Sequence, residues 1–240
     1  MAARNKLAVT LGRERRTSGP SSTKTWASPA SSKPGAAQLQ SKGARTEMEL
    51  NFDRYCSLEK SSQADIVAGR GLSQLLSEIA VAPYSFDYYV VLWKLGATQR
   101  DCITRSEWVM TVYARGIESL TQLKTRVVEW VKEVRGSDAS FLLMYNFLYD
   151  YIRGEDDRCM SLETAMKAWN VLFEKKEQLT QWQLWASSHV NTDVSRDLWR
   201  QVGLMFMMDT DPRKCDGGGN SSAVFPMVIA EFLKQNKTAA

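Results

Sequence analysis

The sequence contains few of the residues on which common enzyme and membrane-protein signatures depend. No apolar run in the 240 residues approaches the roughly 18 that a membrane helix requires, which excludes a spanning protein. A single histidine, His189, excludes histidine-rich zinc sites, and we expect it near a helix end. The four cysteines are widely separated and form no C-x-x-C pair. This pattern predicts reduced thiols in an intracellular protein of the nucleus, the cytoplasm or both.

Nucleotide-binding and hydrolase motifs are absent as well. The chain contains no G-x-x-x-x-G-K-[ST], no G-x-G-x-x-G and no G-x-S-x-G. Asp209 and Asp211 resemble the first ligands of a calcium loop, but Lys214 and Asn220 stand where that loop needs a glycine and a bidentate glutamate. We therefore expect no metal and no cofactor, and the sequence favours a binding protein over an enzyme.

The net charge of +4 is the sum of two segments of opposite sign. Residues 1–46 hold nine lysines and arginines and one acid, a net charge of +8, whereas residues 47–240 carry −4. The acidic sign of the larger segment argues against nucleic acid as its partner and favours a basic protein surface.

The basic segment has the composition of a disordered tail. Residues 1–46 are rich in Ser, Ala, Thr and Gly and show no apolar periodicity. We favour a solvated linker or an address peptide. An organelle transit peptide, a nuclear address around Arg13, Arg15 and Arg16, and a tether to nucleic acid or an anionic membrane are the alternatives. A second, short disordered end is predicted at residues 237–240.

Helical spacing dominates the rest of the chain. From Glu49 onward, apolar residues recur three and four positions apart. The segment Thr104–Glu107 is a capping-box pattern that opens a helix ending near Gly116. Asp138 is predicted to cap a helix that ends at Gly154. The sequence therefore predicts an all-α fold of about ten helices in two lobes.

Six motifs in a fixed order resemble those of one known family. They are Val90-Val91-Leu92-Trp93-Lys94, Thr104 to Trp108, Phe141-x-x-x-Tyr145-x-Phe147-x-Tyr149-x-Tyr151, Leu162-Glu163-x-Ala165-x-x-Ala168-Trp169-Asn170, Ser195-x-Asp197-x-Trp199 and Phe225-Pro226-x-x-Ile229-x-x-Phe232. Together they resemble the defective-in-cullin-neddylation family over about residues 48–235. We therefore predict a potentiating-neddylation domain at residues 47–236.

The resemblance implies a fold and a function. The fold would be an all-α domain of two lobes, with EF-hand-like helix pairs that lack calcium. The function would be that of a non-catalytic, monomeric, scaffold-type ligase component. It would hold the winged-helix end of a cullin beside a conjugating enzyme charged with the ubiquitin-like modifier, and proximity would promote transfer.

The first binding surface that the resemblance implies is a cullin patch, an Asp-Ala-Asp set in the family. Its first aspartate is kept as Asp197. Its alanine falls on Val224, with Ala223 one residue earlier, and its last aspartate falls on Ala230, with Glu231 adjacent. These replacements favour, as the alternative function, a diverged helical adaptor with the same fold and another partner.

The second surface is a hydrophobic pocket for the acetylated N-terminal methionine of the conjugating enzyme. Its predicted lining is Leu72, Tyr84, Tyr88, Val91, Tyr151, Ala168 and Val171. Tyr84 and Tyr88 stand where smaller residues are usual in the family, which predicts a narrower or reshaped pocket. Val91 and Val171 are equally consistent with a place in the core.

Overall fold

The described part of the chain consists of ten α-helices and one pair of short strands. The computed structural model describes residues 45–59, 65–154, 158–173, 176–190, 193–207 and 227–238. The helices are α1 (Glu47–Ser57), α2 (Gly69–Glu78), α3 (Phe86–Leu95), α4 (Arg105–Ala114), α5 (Leu120–Gly136), α6 (Asp138–Arg153), α7 (Leu162–Leu172), α8 (Lys176–His189), α9 (Arg196–Met207) and α10 (Met227–Thr238). The strands are β1 (Ile66–Ala68) and β2 (Cys102–Thr104). The predicted all-α fold is confirmed.

Some sequence predictions fall outside the described residues. These are the tail up to residue 44, the rejected calcium loop at 209–220, and two cullin-patch positions, Ala223 and Val224. The described residues belong to one compact unit, Ala44–Ala240. The domain limits at 47 and 236 stay a prediction, and α10 runs to Thr238.

Most helix ends lie where the local signals predicted them. The capping box at the start of α4 is present: the Glu107 N–H donates to Thr104 Oγ1 at 3.3 Å, and the Thr104 N–H donates to Glu107 Oε2 at 2.8 Å. Helix α6 ends at Arg153, directly before the predicted end at Gly154. The N-cap of α6 was predicted wrongly by one residue, because the Ser137 hydroxyl caps the helix and Asp138 lies in its first turn.

Two short antiparallel contacts join the helices in pairs. Strand β1 lies between α1 and α2, strand β2 lies between α3 and α4, and Val67 pairs with Ile103. Met160 and Val194 form a second contact, between the segments that precede α7 and α9, with N–O distances of 3.1 and 2.7 Å. The sequence did not predict these contacts, because three residues are too few to show the alternation of a strand.

An aromatic cluster in the core joins α6, α7 and α9. The rings of Tyr145 and Trp199 stack with centroids 4.4 Å apart. The Tyr145 hydroxyl donates to the Trp199 carbonyl at 2.8 Å and accepts the indole N–H of Trp169 at 2.9 Å. All three side chains are fully buried. The motif aromatics are therefore core residues that set the position of α9.

Candidate functional site

A cavity of about 310 Å³ opens where α3, α6, α7 and the turn before β2 meet. Its lining is Tyr84, Tyr88, Tyr89, Arg100, Asp101, Tyr151, Ile152, Thr164, Lys167 and Ala168. We call it the tyrosine cavity. It brings together four of the seven residues predicted for the conjugating-enzyme pocket, namely Tyr84, Tyr88, Tyr151 and Ala168.

The other three predicted residues do not line the tyrosine cavity. Leu72 and Val91 are buried in the core, and Val171 is half-buried and packs against it. Their positions fit the core interpretation. Assignment of the set to a binding pocket stays a prediction.

A closed ring of hydrogen bonds forms the polar wall of the tyrosine cavity. The Asp101 N–H donates to the Tyr151 hydroxyl at 2.9 Å, and the Tyr88 hydroxyl donates to Asp101 Oδ1 at 2.9 Å. The two hydroxyl oxygens are 3.3 Å apart. Because the carboxylate can only accept, the Tyr88 proton is committed to it, and Tyr151 must be the donor between the two hydroxyls. Both phenol protons are thus used within the ring.

Two lining residues have a backbone conformation that is uncommon outside glycine. The φ angles are 55° at Tyr84 and 54° at Asp101. A non-glycine residue in the left-handed region costs roughly 1–3 kcal/mol and persists only where its surroundings impose it. At Tyr84 the next residue fixes the turn, because Ser85 Oγ accepts the Tyr88 N–H at 3.2 Å and donates to the Ala82 carbonyl at 2.6 Å. At Asp101 the hydrogen-bonded ring imposes the conformation.

The tyrosine hydroxyls stay protonated at neutral pH. Burial raises the pKa of Tyr88 and of Tyr151, and it also raises that of Tyr89. The pKa of Tyr84 is raised first by the charge of Asp101, while Arg100 lowers it by a smaller amount. At the Tyr84 hydroxyl, the negative charge of Asp101 therefore has a larger effect than the positive charge of Arg100.

The sequence reasoning missed the polar half of this lining. It named no charged residue, although Asp101, Arg100 and Lys167 all line the cavity. Asp101 follows Thr98-Gln99-Arg100 in a turn, and this polar run before a strand is the only local signal for it. That signal cannot show that the turn folds back onto Tyr151, which is 50 positions away.

Asp197, the residue of the predicted cullin patch that matches the family, is exposed on a firmly anchored helix. Asp197 lies in the first turn of α9, where Ser195 Oγ accepts the Leu198 N–H at 3.2 Å. Two residues later, Trp199 fixes the helix in the core by donating its indole N–H to the Tyr145 carbonyl at 2.9 Å. The carboxylate near a helix N-terminus is favoured by the helix dipole. Asp197 is therefore presented to solvent by a rigid support.

A paired cation lies next to Asp197 along the chain. The guanidinium of Arg196 bonds Asp150 on α6, with an Nη1–Oδ2 distance of 2.7 Å, and lies over the Tyr149 ring at 5.0 Å. The Tyr149 hydroxyl in turn donates to the Val194 carbonyl at 3.0 Å. The charge of Arg196 is therefore paired with that of Asp150 on α6.

The remaining described patch residues lie on α10. Ala230 is half-buried and Glu231 is exposed. The helix is attached to α8 by Phe232, whose ring centroid is 5.1 Å from that of Trp182 and 5.6 Å from that of Trp185.

No described group of three or more His, Cys, Asp or Glu side chains is placed to hold a metal ion. His189 is the last residue of α8, as predicted, and its ring stacks on that of Trp185 at 4.4 Å. Within the described part of the chain, the helices are too short or too polar to cross a membrane.

Comparison of the sequence with those of known proteins finds several relatives. Residues 122–235 match a family model described as cullin binding. The chain is 25% identical over 210 residues to "Defective in cullin neddylation protein 1" of Caenorhabditis elegans, an alignment that covers 79% of this chain and 70% of that protein. It is 22% identical over 204 residues to "DCN1-like protein 4" of Homo sapiens, with coverages of 80% and 66%.

A third relative gives the same result. The chain is 20% identical over 192 residues to "DCN1-like protein 3" of Drosophila melanogaster, covering 79% of this chain and 55% of that protein. The chain thus spans between 55% and 70% of the length of these three relatives. These matches confirm the resemblance that the six motifs predicted.

Proposed function

Because the chain resembles the defective-in-cullin-neddylation family over most of its length, we propose that it is a non-catalytic scaffold for cullin neddylation. In this role it binds the winged-helix end of a cullin and a conjugating enzyme charged with the modifier. The observation that carries the proposal is Asp197, the kept member of the family's cullin patch, exposed at the start of α9. It lies within the residues that match the cullin-binding model.

The anchoring of α9 supports the cullin side of the proposal. An interface charge contributes to specificity when its support holds it in one place. Trp199 and Tyr145 provide that support through two hydrogen bonds between α6 and α9. Asp197 and Glu231 supply the negative charge that a basic cullin surface requires.

The tyrosine cavity supports the conjugating-enzyme side. It is built by α3, α6 and α7, whereas Asp197 begins α9, so the two surfaces use different elements of one unit. A protein that holds two reactants in this way raises the rate of a reaction without supplying a catalytic group. The reacting cysteine belongs to the conjugating enzyme in this proposal.

A reconstituted transfer reaction tests the proposal. The full chain is mixed with a cullin carboxyl-terminal region, the charged conjugating enzyme and the modifier, and the rate of cullin modification is measured. We expect acceleration by the wild type and a loss of roughly tenfold or more with Asp197→Lys, since reversing one charge at an interface costs about 2 kcal/mol or more.

Glu47→Lys is the matched control. It makes the same change of charge at an exposed acid in the first turn of another helix, α1. We expect this variant to accelerate transfer as the wild type does. No acceleration by the wild type, or equal losses in the two variants, would contradict the proposal.

A diverged adaptor is the second candidate function. It is favoured by Ala230, which places a half-buried methyl group where the family has an aspartate, and by the polar ring of Tyr88 and Tyr151. Calorimetric titration of the full chain with a cullin winged-helix fragment separates the two candidates. Saturable binding that Asp197→Lys weakens supports the scaffold, and no binding by the folded protein supports the adaptor.

A further inference from the structure

We propose that Arg200 is a specificity-determining residue of the cullin-binding face, and that it pairs with an acidic side chain of the partner. That acid would lie about one helical turn away from the base that meets Asp197. The inference rests on the proposed function and adds the charge pattern of the partner to it. The Asp-Ala-Asp patch that the resemblance implies contains no cation. The exposed face of α9, its charges and its rigid support each lead to Arg200.

Arg200 lies on the same face of α9 as Asp197. Positions three and four apart on a helix are neighbours on its surface, so Arg200 follows Asp197 by one turn and Leu204 follows by another. Asp197 and Arg200 are exposed, and Leu204 is half-buried. The opposite face is buried in the core and consists of Trp199, Val202, Met205 and Phe206. A partner that contacts Asp197 therefore meets Arg200 as well.

The charge of Arg200 is available to such a partner. Arg196 differs, because its guanidinium bonds Asp150 at 2.7 Å and lies over the Tyr149 ring. Within the described part of the chain, no residue forms an ion pair or a side-chain hydrogen bond with the side chain of Arg200 or of Asp197. The two opposite charges therefore stand one turn apart on α9, and each can pair with a group of the partner.

The support of α9 fixes the spacing of these two charges. Trp199 lies between them in the chain and donates its indole N–H to the Tyr145 carbonyl at 2.9 Å. Gly203 brings the next turn so close to the Tyr145 ring that a Cβ would overlap it. Because the backbone on both sides of Arg200 is held, little order has to be gained on binding. The planar guanidinium fork matches a carboxylate with two hydrogen bonds, which makes arginine selective for an acid.

The opposite interpretation predicts an effect of the opposite sign. If the partner offered only positive charge to α9, Arg200 would repel it, and removal of the arginine would strengthen binding. If Arg200 pairs with an acid of the partner, its removal leaves that acid unpaired and weakens binding. One substitution therefore separates a uniformly basic partner surface from a basic surface that contains an acid at this position.

Calorimetric titration of the full chain with a cullin winged-helix fragment measures the sign. We expect Arg200→Gln to weaken binding by about fivefold or more, and Arg200→Glu by about twentyfold or more, because glutamate also repels the acid. Arg70→Gln is the matched control, since Arg70 is an exposed arginine on α2. It should leave the affinity within about twofold of that of the wild type. Equal urea midpoints for all four proteins show that the fold is retained.

A second set of titrations locates the acid on the partner. Each acidic residue of the cullin fragment is changed in turn to its amide, and each fragment is titrated against the wild type and against Arg200→Gln. One substitution should weaken binding to the wild type by about fivefold or more and binding to Arg200→Gln by less than about twofold, as the coupling of a direct pair requires. A purely structural role of Arg200 would produce no such coupling.

Two results would overturn the inference. They are unchanged or tighter binding by Arg200→Gln, and the absence of any acid in the fragment that is coupled to Arg200. Either result, obtained while Asp197→Lys still weakens binding, would contradict this inference and leave the proposed function standing. No binding of the fragment by the folded wild type would contradict the proposed function, and this inference with it.

Discussion

Glu78 shows how a single carboxylate ties two helices together at the surface. Its Oε2 accepts from Arg54 Nη2 and from the Tyr55 hydroxyl, both at 2.6 Å, which joins α2 to α1. The hydrogen bond from Arg54 is the largest cause that lowers the pKa of Glu78 from 4.5 to about 2. The native state therefore binds this proton less readily than the unfolded chain does.

This difference predicts how stability depends on pH. The contribution of Glu78 is fully present above pH 4.5 and is lost as the pH falls from about 4.5 to 2. The Glu78→Gln variant has no carboxylate to protonate at this position. Urea unfolding at pH 7, 5 and 3 should therefore show a smaller loss of unfolding free energy for the variant than for the wild type. Equal losses in the two proteins would mean that Glu78 has its ordinary pKa in the native state.

Asp101 is a second residue that acquires its role only in the folded chain. In the sequence it belongs to a polar turn. In the structure its backbone and side chain close a ring with two tyrosines from α3 and α6. Nothing within a few positions of Asp101 predicts that ring.

At the scale of elements, α9 lies close to α6 because one of its residues has no side chain. A Cβ built at Gly203 would lie 2.4 Å from Tyr145 Cε1 and 2.8 Å from Cδ1. Tyr145 is fully buried and held by hydrogen bonds to Trp169 and Trp199, so its ring cannot move aside. The same contact sets the position of the first turn of α9, which carries Asp197.

Gly203→Ala should therefore destabilise the protein by about 1–3 kcal/mol, as overpacking of a core does. Urea unfolding measures the change, and binding of a cullin fragment should weaken with it if the proposed function holds. Gly136→Ala is the control, because a Cβ at that helical position meets no atom within 4 Å. Alanine there should be neutral or stabilising by up to about 1 kcal/mol. Similar losses in both variants would point to a general sensitivity of helix glycines.

Helix ends could be predicted from the sequence because capping depends on neighbours in the chain. The Thr104–Glu107 box and the helix end at Gly154 needed no tertiary information. Ser137 and Asp138 are both good capping residues in adjacent positions, so the pattern alone could not choose between them.

At the scale of the whole molecule, the chain joins a basic segment to an acidic helical one. Arg45 pairs with Asp53, and Thr46 forms a capping box with Glu49. Residues 1–44 hold eight lysines and arginines, since Arg45 is the ninth of the tail. The composition of this segment predicts a disordered tail, so we expect its removal to leave the folded unit intact.

Deletion of residues 1–44 should leave the urea midpoint and the acceleration of cullin modification unchanged. It should abolish any salt-sensitive binding to anionic vesicles or DNA, because the remaining chain is acidic. Cosedimentation and gel-shift titrations at 50 and 200 mM salt measure this binding for both proteins. Identical salt-sensitive binding with and without the tail would exclude the tether hypothesis.

The sequence by itself determined the helical fold class, several of the helix ends and the family resemblance. These features depend on residue spacing and on near neighbours along the chain, which a sequence displays directly. Only the tertiary structure decided which predicted pocket residues share a cavity, because its lining is contributed by segments from Tyr84 to Ala168. It also decided the polar character of that cavity, since the ring through Asp101 requires a left-handed turn and contacts between residues 50 and 63 positions apart.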